Sequence, residues 1–329
     1  MAIGRRQFIT AIGGAAAWPL ASLAQQPAMP VIGLVDGGSP EGSVPQTAAF
    51  RKGLGETGYA DGKNVTVEEH HLSGQYDRLP ALMADLVKRQ VAVIATPGSN
   101  PATLAAKAAT ATIPIAFGVG QDPVALGLVA SLARPGGNAT GINFFVQEVV
   151  AKRLRLLHDL VPKAVRVAVL VNPTNATSAE ATLRAVREAA AIIGLQIVTL
   201  NAATSGEIDA VFAHFVSERP DALFVAPDAF FNSQRGQFAD LTARNRIPAT
   251  YDNGGFVAAG GLMNYGTDIP DMFRQVGIYA GTILKGTKPA DLPVLQPIKF
   301  QFVLNLKTAQ ALGIVVPSVL LATADEVIE

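Results

Sequence analysis

Residues 111–143 read ATIPIAFGVGQDPVALGLVASLARPGGNATGIN, and the order of elements in this stretch decides the fold. Ile115–Phe117 is an unbroken apolar run, as expected of a strand covered on both faces. Gly118–Asp122 supplies a turn, the apolar residues after Pro123 predict a short helix, and Pro135-Gly136-Gly137-Asn138 predicts a second turn before a strand that begins near Thr140. The glycines do not make a phosphate loop, because they precede a strand instead of opening a helix after one. In open α/β sheets ligands bind beyond the carboxyl ends of the strands. Gly118–Asp122 should therefore edge a site, and Gly141, Ile142 and Asn143 should carry the chain out of its first half.

Working outward, strands alternate with helices on both sides. Upstream, Val31–Val35 is a buried strand that ends in Asp36-Gly37-Gly38-Ser39-Pro40. Phe50 and Leu54 mark a helix closed by Gly58, and Asn64–Leu72 alternates as a strand. Leu79, Leu82, Met83, Leu86 and Val87 repeat at helical spacing before the strand Val91–Ala95. Asn100 then suits an N-cap and Pro101 a first helical position, so a helix over 102–110 starts at the end of that strand. Downstream, Val149–Val161 is helical and Val165–Val171 is a strand. Thr177 with Glu180 predicts a capping box for a helix closed by Gly194. Ile197–Leu200 is a strand, and Thr204 with Glu207 caps the next helix. Ala222–Val225 and Ala249–Tyr251 are strands flanking a helix that runs to Arg246. Asp268 caps a helix through Lys285, and Lys299–Leu306 alternates as a last strand. The pattern is α/β, with two βαβ halves that each form an open sheet covered by helices. No long linker separates them, so short crossings should join them as a hinge.

Composition narrows the function. The chain has 329 residues and no cysteine, which excludes disulfides and thiolate metal sites. Its first 24 residues, with the Arg5-Arg6 pair and a small-x-small pattern at Ser22 and Ala24, read as an export signal of the twin-arginine type. Pro19, Gly13 and Gly14 interrupt the leader's apolar segment, which is too short to span a membrane. Arg5 and Arg6 are the leader's only charges, so 24 of the 26 basic residues remain against 26 acidic ones, a net of −2. That balance carries no nucleic-acid footprint. The four histidines, at 70, 71, 158 and 214, offer no metal cluster: His70 and His71 point to opposite faces of one strand. No nucleophile elbow, Walker loop or zincin motif is present. Neither a cofactor nor catalysis is expected.

What remains is polar and aromatic groups at successive strand ends. Ser39, Ser99, Asn100, Gln121 and Asp122 belong to the first half. Asn172, Thr174, Asn175, Asp228, Phe230 and Phe231 belong to the second, and Tyr251, Asp252, Asn264 and Tyr265 come from late in the chain. Each type also serves as a helix cap or turn residue, but together they suit a cleft that binds a small molecule. Free N–H groups with the Ser99 hydroxyl favour an anion such as a carboxylate.

The runs IPIAFGVGQDPVALGLVASLARPGGNATG (113–141), ALFVAPDAFF (222–231), FVAAGGLMNYG (256–266), ILKGTKPADLPV (283–294) and LNLKTAQALGIVVPSVLLATADEVIE (304–329) resemble a family of bacterial ABC-transporter substrate-binding proteins. Members of that family are associated with uptake of tryptophan, phenylalanine or tyrosine. The resemblance spans residues 28–329 and implies a type I periplasmic-binding-protein fold, in which two Rossmann-like lobes joined by three crossings enclose a ligand. Lobe I would comprise 28–142 plus about 252–286, and lobe II 143–251 plus about 296–329. The implied partners are a small carboxylate-bearing ligand, a membrane permease and its ATPase, with a monomeric protein free in the periplasm after cleavage near Ala24. For an amino acid, Ser99 and the N–H groups near Asn100 would hold the carboxylate and Asp228 the ammonium. Trp18 lies in the leader, so Phe230, Tyr251 and Tyr265 are the candidates for an aromatic wall. A ligand sensor that signals to a receptor would share cleft and leader. A secreted hydrolase would need a base at a strand-end loop, where none of the histidines falls.

Overall fold

The computed structural model describes residues 29–144, 146–296 and 300–329; the expected leader, with Arg5, Arg6 and Trp18, lies outside them. Val31–Asp36, Thr66–His71, Val93–Pro97, Ile115–Val119 and Ala139–Asn143 (β1 to β5) form one parallel sheet in the order β2-β1-β3-β4-β5. Arg166–Val171, Gln196–Asn201, Ala222–Val225, Ala249–Tyr251, Met263–Thr267, Phe300–Asn305 and Glu326–Ile328 (β6 to β12) form a second sheet, ordered β12-β11-β10-β9-β8-β6-β7. Only β10 and β11 pair antiparallel. Read from β7 to β10, the second sheet repeats the topology of the first. Each sheet therefore reverses its winding beside its own first strand, which is where open sheets leave a crevice for ligands.

Helices cover both faces. In the first unit they are Val44–Glu56, Leu79–Lys88 and Asn100–Ala109 (α1 to α3). In the second they are Val146–Leu160, Ala176–Ile193, Ser205–His214, Ala229–Ser233, Arg235–Asn245 and Gly254–Ala258 (α4 to α9). Ile269–Leu284 (α10) returns to the first sheet, and Leu306–Ala311 and Ser318–Thr323 (α11, α12) close the second. Four apolar clusters, two per sheet, fill the space between sheet and helices. Each fully buried Ile, Leu or Phe contributes about 1.5–3 kcal/mol. Among the described residues no helix is long and apolar enough to cross a membrane.

Among the described residues the chain moves between the sheets after β5 and between β10 and α10, and Leu295 lies with the first sheet while β11 lies in the second. These passages are tied together. Asn143 N–H donates to the Leu295 carbonyl at 2.8 Å and Leu295 N–H to the Gly141 carbonyl at 2.9 Å, while the Thr267 hydroxyl donates to the Phe144 carbonyl at 2.7 Å. Gly141, at φ 158°, presses so closely on Phe117 that a Cβ would overlap its carbonyl oxygen. Only glycine lets β4 and β5 pair here.

Several local expectations give way. The apolar residues after Pro123 form consecutive turns, not a helix, with Leu126 N–H bonded to Asp122 and Leu128 N–H to Pro123. Ser99, not Asn100, is the N-cap of α3, its hydroxyl accepting the Ala102 N–H at 3.3 Å. The Thr177–Glu180 box is absent because α5 begins two residues earlier, at Ala176. The segment 252–286, expected as a whole in the first lobe, divides. Met263–Thr267 pairs with β9 and β11 in the second sheet, and only α10 packs on the first.

Candidate ligand-binding site

The carboxyl ends of the two sheets face each other across a narrow cavity of about 50 Å³. From the first sheet come Asp36 at the end of β1, Gly98 and Asn100 after β3, and Gly120 and Gln121 after β4. From the second come Asn175 after β6, Asp228 after β8, and Asp252 with Asn253 after β9. Both crevices thus open into one space.

Asp228 is the hub of the second side. As N-cap of α7 its Oδ1 accepts the N–H groups of Phe230 at 3.0 Å and Phe231 at 3.3 Å, and the Asn172 amide at 3.1 Å. Its Oδ2 accepts the Asn175 amide at 2.9 Å. Burial raises its carboxyl above the usual range, and the bonds from Asn175 and Asn172 oppose that shift. The Tyr76 hydroxyl is buried beside Ser99 and Asp228 without closing a hydrogen bond of good geometry, and burial drives it well above the ordinary tyrosine range. Asp252 is pushed up to about 6 by burial, against the opposing charge of Arg153. Arg153 is itself fully buried, 3.9 Å over the Phe224 ring, with Nη2 donating to the Val225 carbonyl at 2.9 Å. Desolvation lowers it to about 10.

The first side is amide-rich. Asn100 donates to Gln121 Oε1 at 2.8 Å, and Gln121 Nε2 reaches across the cleft to the Thr177 carbonyl at 2.8 Å. A second bridge runs the other way, from Arg235 Nη1 to the Gly42 carbonyl at 2.6 Å. Gly42 is packed against Ser233, and Gly37 against Ala229. The two units are in direct contact around the cavity.

Of the residues nominated from sequence, Asn100, Gln121, Asn175, Asp228 and Asp252 line the cavity. Asn172 and Ser99 stand just behind, holding Asp228 and capping α3. Ser39 caps its own turn by accepting the Gly42 N–H at 3.2 Å, and Thr174 is exposed and bonds back to Asn172. The aromatic nominees lie elsewhere. Tyr251 is fully buried and stacked on Phe256 at 4.5 Å, Phe230 is in the same core cluster, and Tyr265 packs on Phe300 and Phe302. Asn264 is buried within β10, donating to the Gln301 carbonyl at 3.2 Å. The rings that reach the cavity are Phe144, at the first passage between sheets, and Phe273, on α10. Gly141–Asn143 sit in the last strand of the first sheet, immediately before Phe144. Sequence reasoning also missed Asp36, Gln46, Ser178 and Asn232. Asp36 had a signal, a carboxylate at a strand end ahead of paired glycines, but read as turn chemistry. Among the described residues no group of three His, Asp or Glu side chains is placed to hold a metal ion.

Two like-wound units enclosing a cleft between their strand ends define a two-lobed binding protein of the type I periplasmic-binding-protein fold. The solved structures agree. A conserved domain protein from Vibrio cholerae superposes with a TM-score of 0.80 at 24% identity, covering 91% of this chain and 99% of that one. A Streptococcus pneumonia ABC domain in complex with L-Trp gives 0.78 at 25% identity and the same coverages. The ligand-free, open form of a Clostridium difficile substrate binding protein with adhesive properties gives 0.59 at 26%, again over 91% and 99%. The arrangement here is nearer the tryptophan complex than the open form. A family model described as ABC transporter substrate binding protein matches residues 39–328, and the chain belongs to that family. A curated relative, the tyrosine-binding protein of Clostridioides difficile (strain R20291), is 28% identical over 263 residues, 80% of this chain and 75% of the relative.

Proposed function

We propose that this protein is the ligand-capturing component of an ABC importer, closing its two lobes on an aromatic or other apolar amino acid and presenting it to a membrane permease. The observation that carries the reading is the make-up of the cleft. A buried carboxylate, Asp228, from one unit and Asn100, which opens α3, from the other line the same cavity, together with the rings of Phe144 and Phe273. An amino acid offers a group to each: ammonium to Asp228, carboxylate to the Asn100 N–H that opens α3, side chain to the rings. The ligands of two similar proteins, L-Trp and tyrosine, support the same chemistry.

The tied passages act as the hinge, and only a ligand touching both lobes has the differential affinity to close it. The Arg5-Arg6 leader exports the protein to the periplasm. A thermal-shift screen of the purified protein against aromatic and branched amino acids, aromatic acids and sugars tests the reading. A ligand at a hundred times its Kd adds about 2.7 kcal/mol, so aromatic or apolar amino acids should raise Tm by roughly 5 °C or more. A shift with sugars and none with amino acids would refute it.

A further inference from the structure

Asp36, which ends β1, is 3% exposed. Its Oδ1 accepts the Gly38 N–H at 3.2 Å, whereas its Oδ2 has no hydrogen bond. His71 Nδ1 forms an ion pair with Oδ2 at 3.5 Å, and that contact raises the His71 imidazole above its usual range, but the distance is longer than the ~2.7–2.9 Å of a charge-assisted bond. Asp36 lines the cleft beside Gly38, close to where the opposite unit's Ala229 carbonyl at the start of α7 approaches. Asn175 gives an independent indication. Its Nδ2 is held by Asp228 Oδ2, and because a carboxylate only accepts, that bond fixes which way the amide faces. Oδ1 of Asn175, a residue 7% exposed, is left without a donor. Both residues line the cleft, as do Asp228 and Asp252, while among the described residues no Lys, Arg or His does. Arg153 is turned instead to the Val225 carbonyl and the Phe224 ring.

Buried acceptors without donors of good geometry are costly. A cation rich in N–H groups entering the cleft would supply the donors these atoms lack. An ammonium has three such donors, and the cleft offers three acceptors for it: Asp36 Oδ2 from one unit, Asp228 Oδ2 and Asn175 Oδ1 from the other. We infer that the ligand is recognised first by its ammonium, gripped between Asp36 and Asp228 across the cleft, and that Asp36 is a specificity-determining residue. This rests on the amino-acid reading above and sharpens it. A ligand's carboxylate meets only neutral donors in the cleft, so it contributes less than the ammonium. An aromatic acid without an amine would bring a further negative charge beside Asp36 and Asp228 and supply no donors to them, so it should bind more weakly than the amines.

The test compares L-tyrosine, tyramine, which lacks the carboxylate, and 3-(4-hydroxyphenyl)propionate, which lacks the ammonium. All three are measured by calorimetric titration on the purified protein and on Asp36→Asn, with circular dichroism and Tm confirming that the variant is folded. Tyramine should bind more tightly than the propionate, and Asp36→Asn should weaken both amines about ten- to a hundredfold, the range for losing a charge-assisted hydrogen bond. Propionate binding as tight as tyramine, or unchanged amine affinities in the folded variant, would overturn the inference while leaving the amino-acid reading in place. Failure of every amino acid in the thermal-shift screen would overturn that reading and the inference with it. If Asp36→Asn does not fold, Asp36→Glu serves: it keeps the charge but moves it by one methylene, and amine affinity equal to the parent's would overturn the grip at Asp36 Oδ2.

Discussion

Gly42→Ala isolates the closing of the lobes. Gly42 is not among the residues with positive φ, so alanine fits its backbone. The added Cβ would nevertheless fall 2.5 Å from Ser233 Cβ and 2.6 Å from Ser233 Cα in the opposite unit. Contacts that short force the lobes apart and strain the bond from Arg235 to the Gly42 carbonyl. Overpacking of one methyl group costs about 1–3 kcal/mol, and here the cost falls on the closed arrangement alone. The binding-competent fraction should drop about 5- to 150-fold, and the apparent Kd should rise by the same factor. In the open state the two surfaces are separate, so Tm without ligand should stay within about 2 °C of the parent. Calorimetric titration with an amino acid from the screen, paired with scanning calorimetry of the free protein, reads both quantities. An unchanged Kd would refute the reasoning, because the surfaces would then not need to meet for binding.

Other perturbations have equally definite outcomes. Asp228→Asn keeps an N-capping side chain but removes the charge, so titration should show ligand binding weakened tenfold or more while Tm falls by only a few degrees. Asp252 has its folded pKa raised from 3.8 to about 6 by burial. The stability this contributes is full below about pH 4 and lost as pH rises through about 6. Asp252→Asn, without ligand, should therefore gain on the parent across that window by roughly 3 kcal/mol and hold the gain above it, measured by urea denaturation at several pH values. Gly141→Ala must displace the Phe117 carbonyl from β4. It should cost more than about 2 kcal/mol, visible as a Tm drop of several degrees.

Much of the architecture was legible because the alternation of apolar runs with helical spacing is a property of the chain itself. Val31–Val35, Val165–Val171 and Ala222–Val225 could hardly be anything but strands buried on both faces. The residues after Pro123 were misread because apolar content without capping leaves turns as an equal outcome. Thr177 was misread because helix starts are set by local competition, and the chain begins α5 at Ala176 instead. The site divided along a similar line. Polar groups at strand ends, such as Asn100, Asn175 and Asp228, were readable because capping and cleft lining use the same positions. Aromatic groups there were not, since one step of strand register decides whether a ring enters the core, as Tyr251 does, or the cleft. Phe144 and Phe273 reach the cavity only through the path of the chain between the sheets, which no local pattern encodes.

The account turns on where a ligand sits and what holds it. A crystal structure of the complex with the amino acid that gives the largest thermal shift tests that most directly. It should show the ammonium within hydrogen-bond distance of both Asp36 Oδ2 and Asp228 Oδ2, with the side chain against Phe144 and Phe273. A ligand bound outside the cleft, or inside it with its carboxylate turned toward Asp228, would contradict the account.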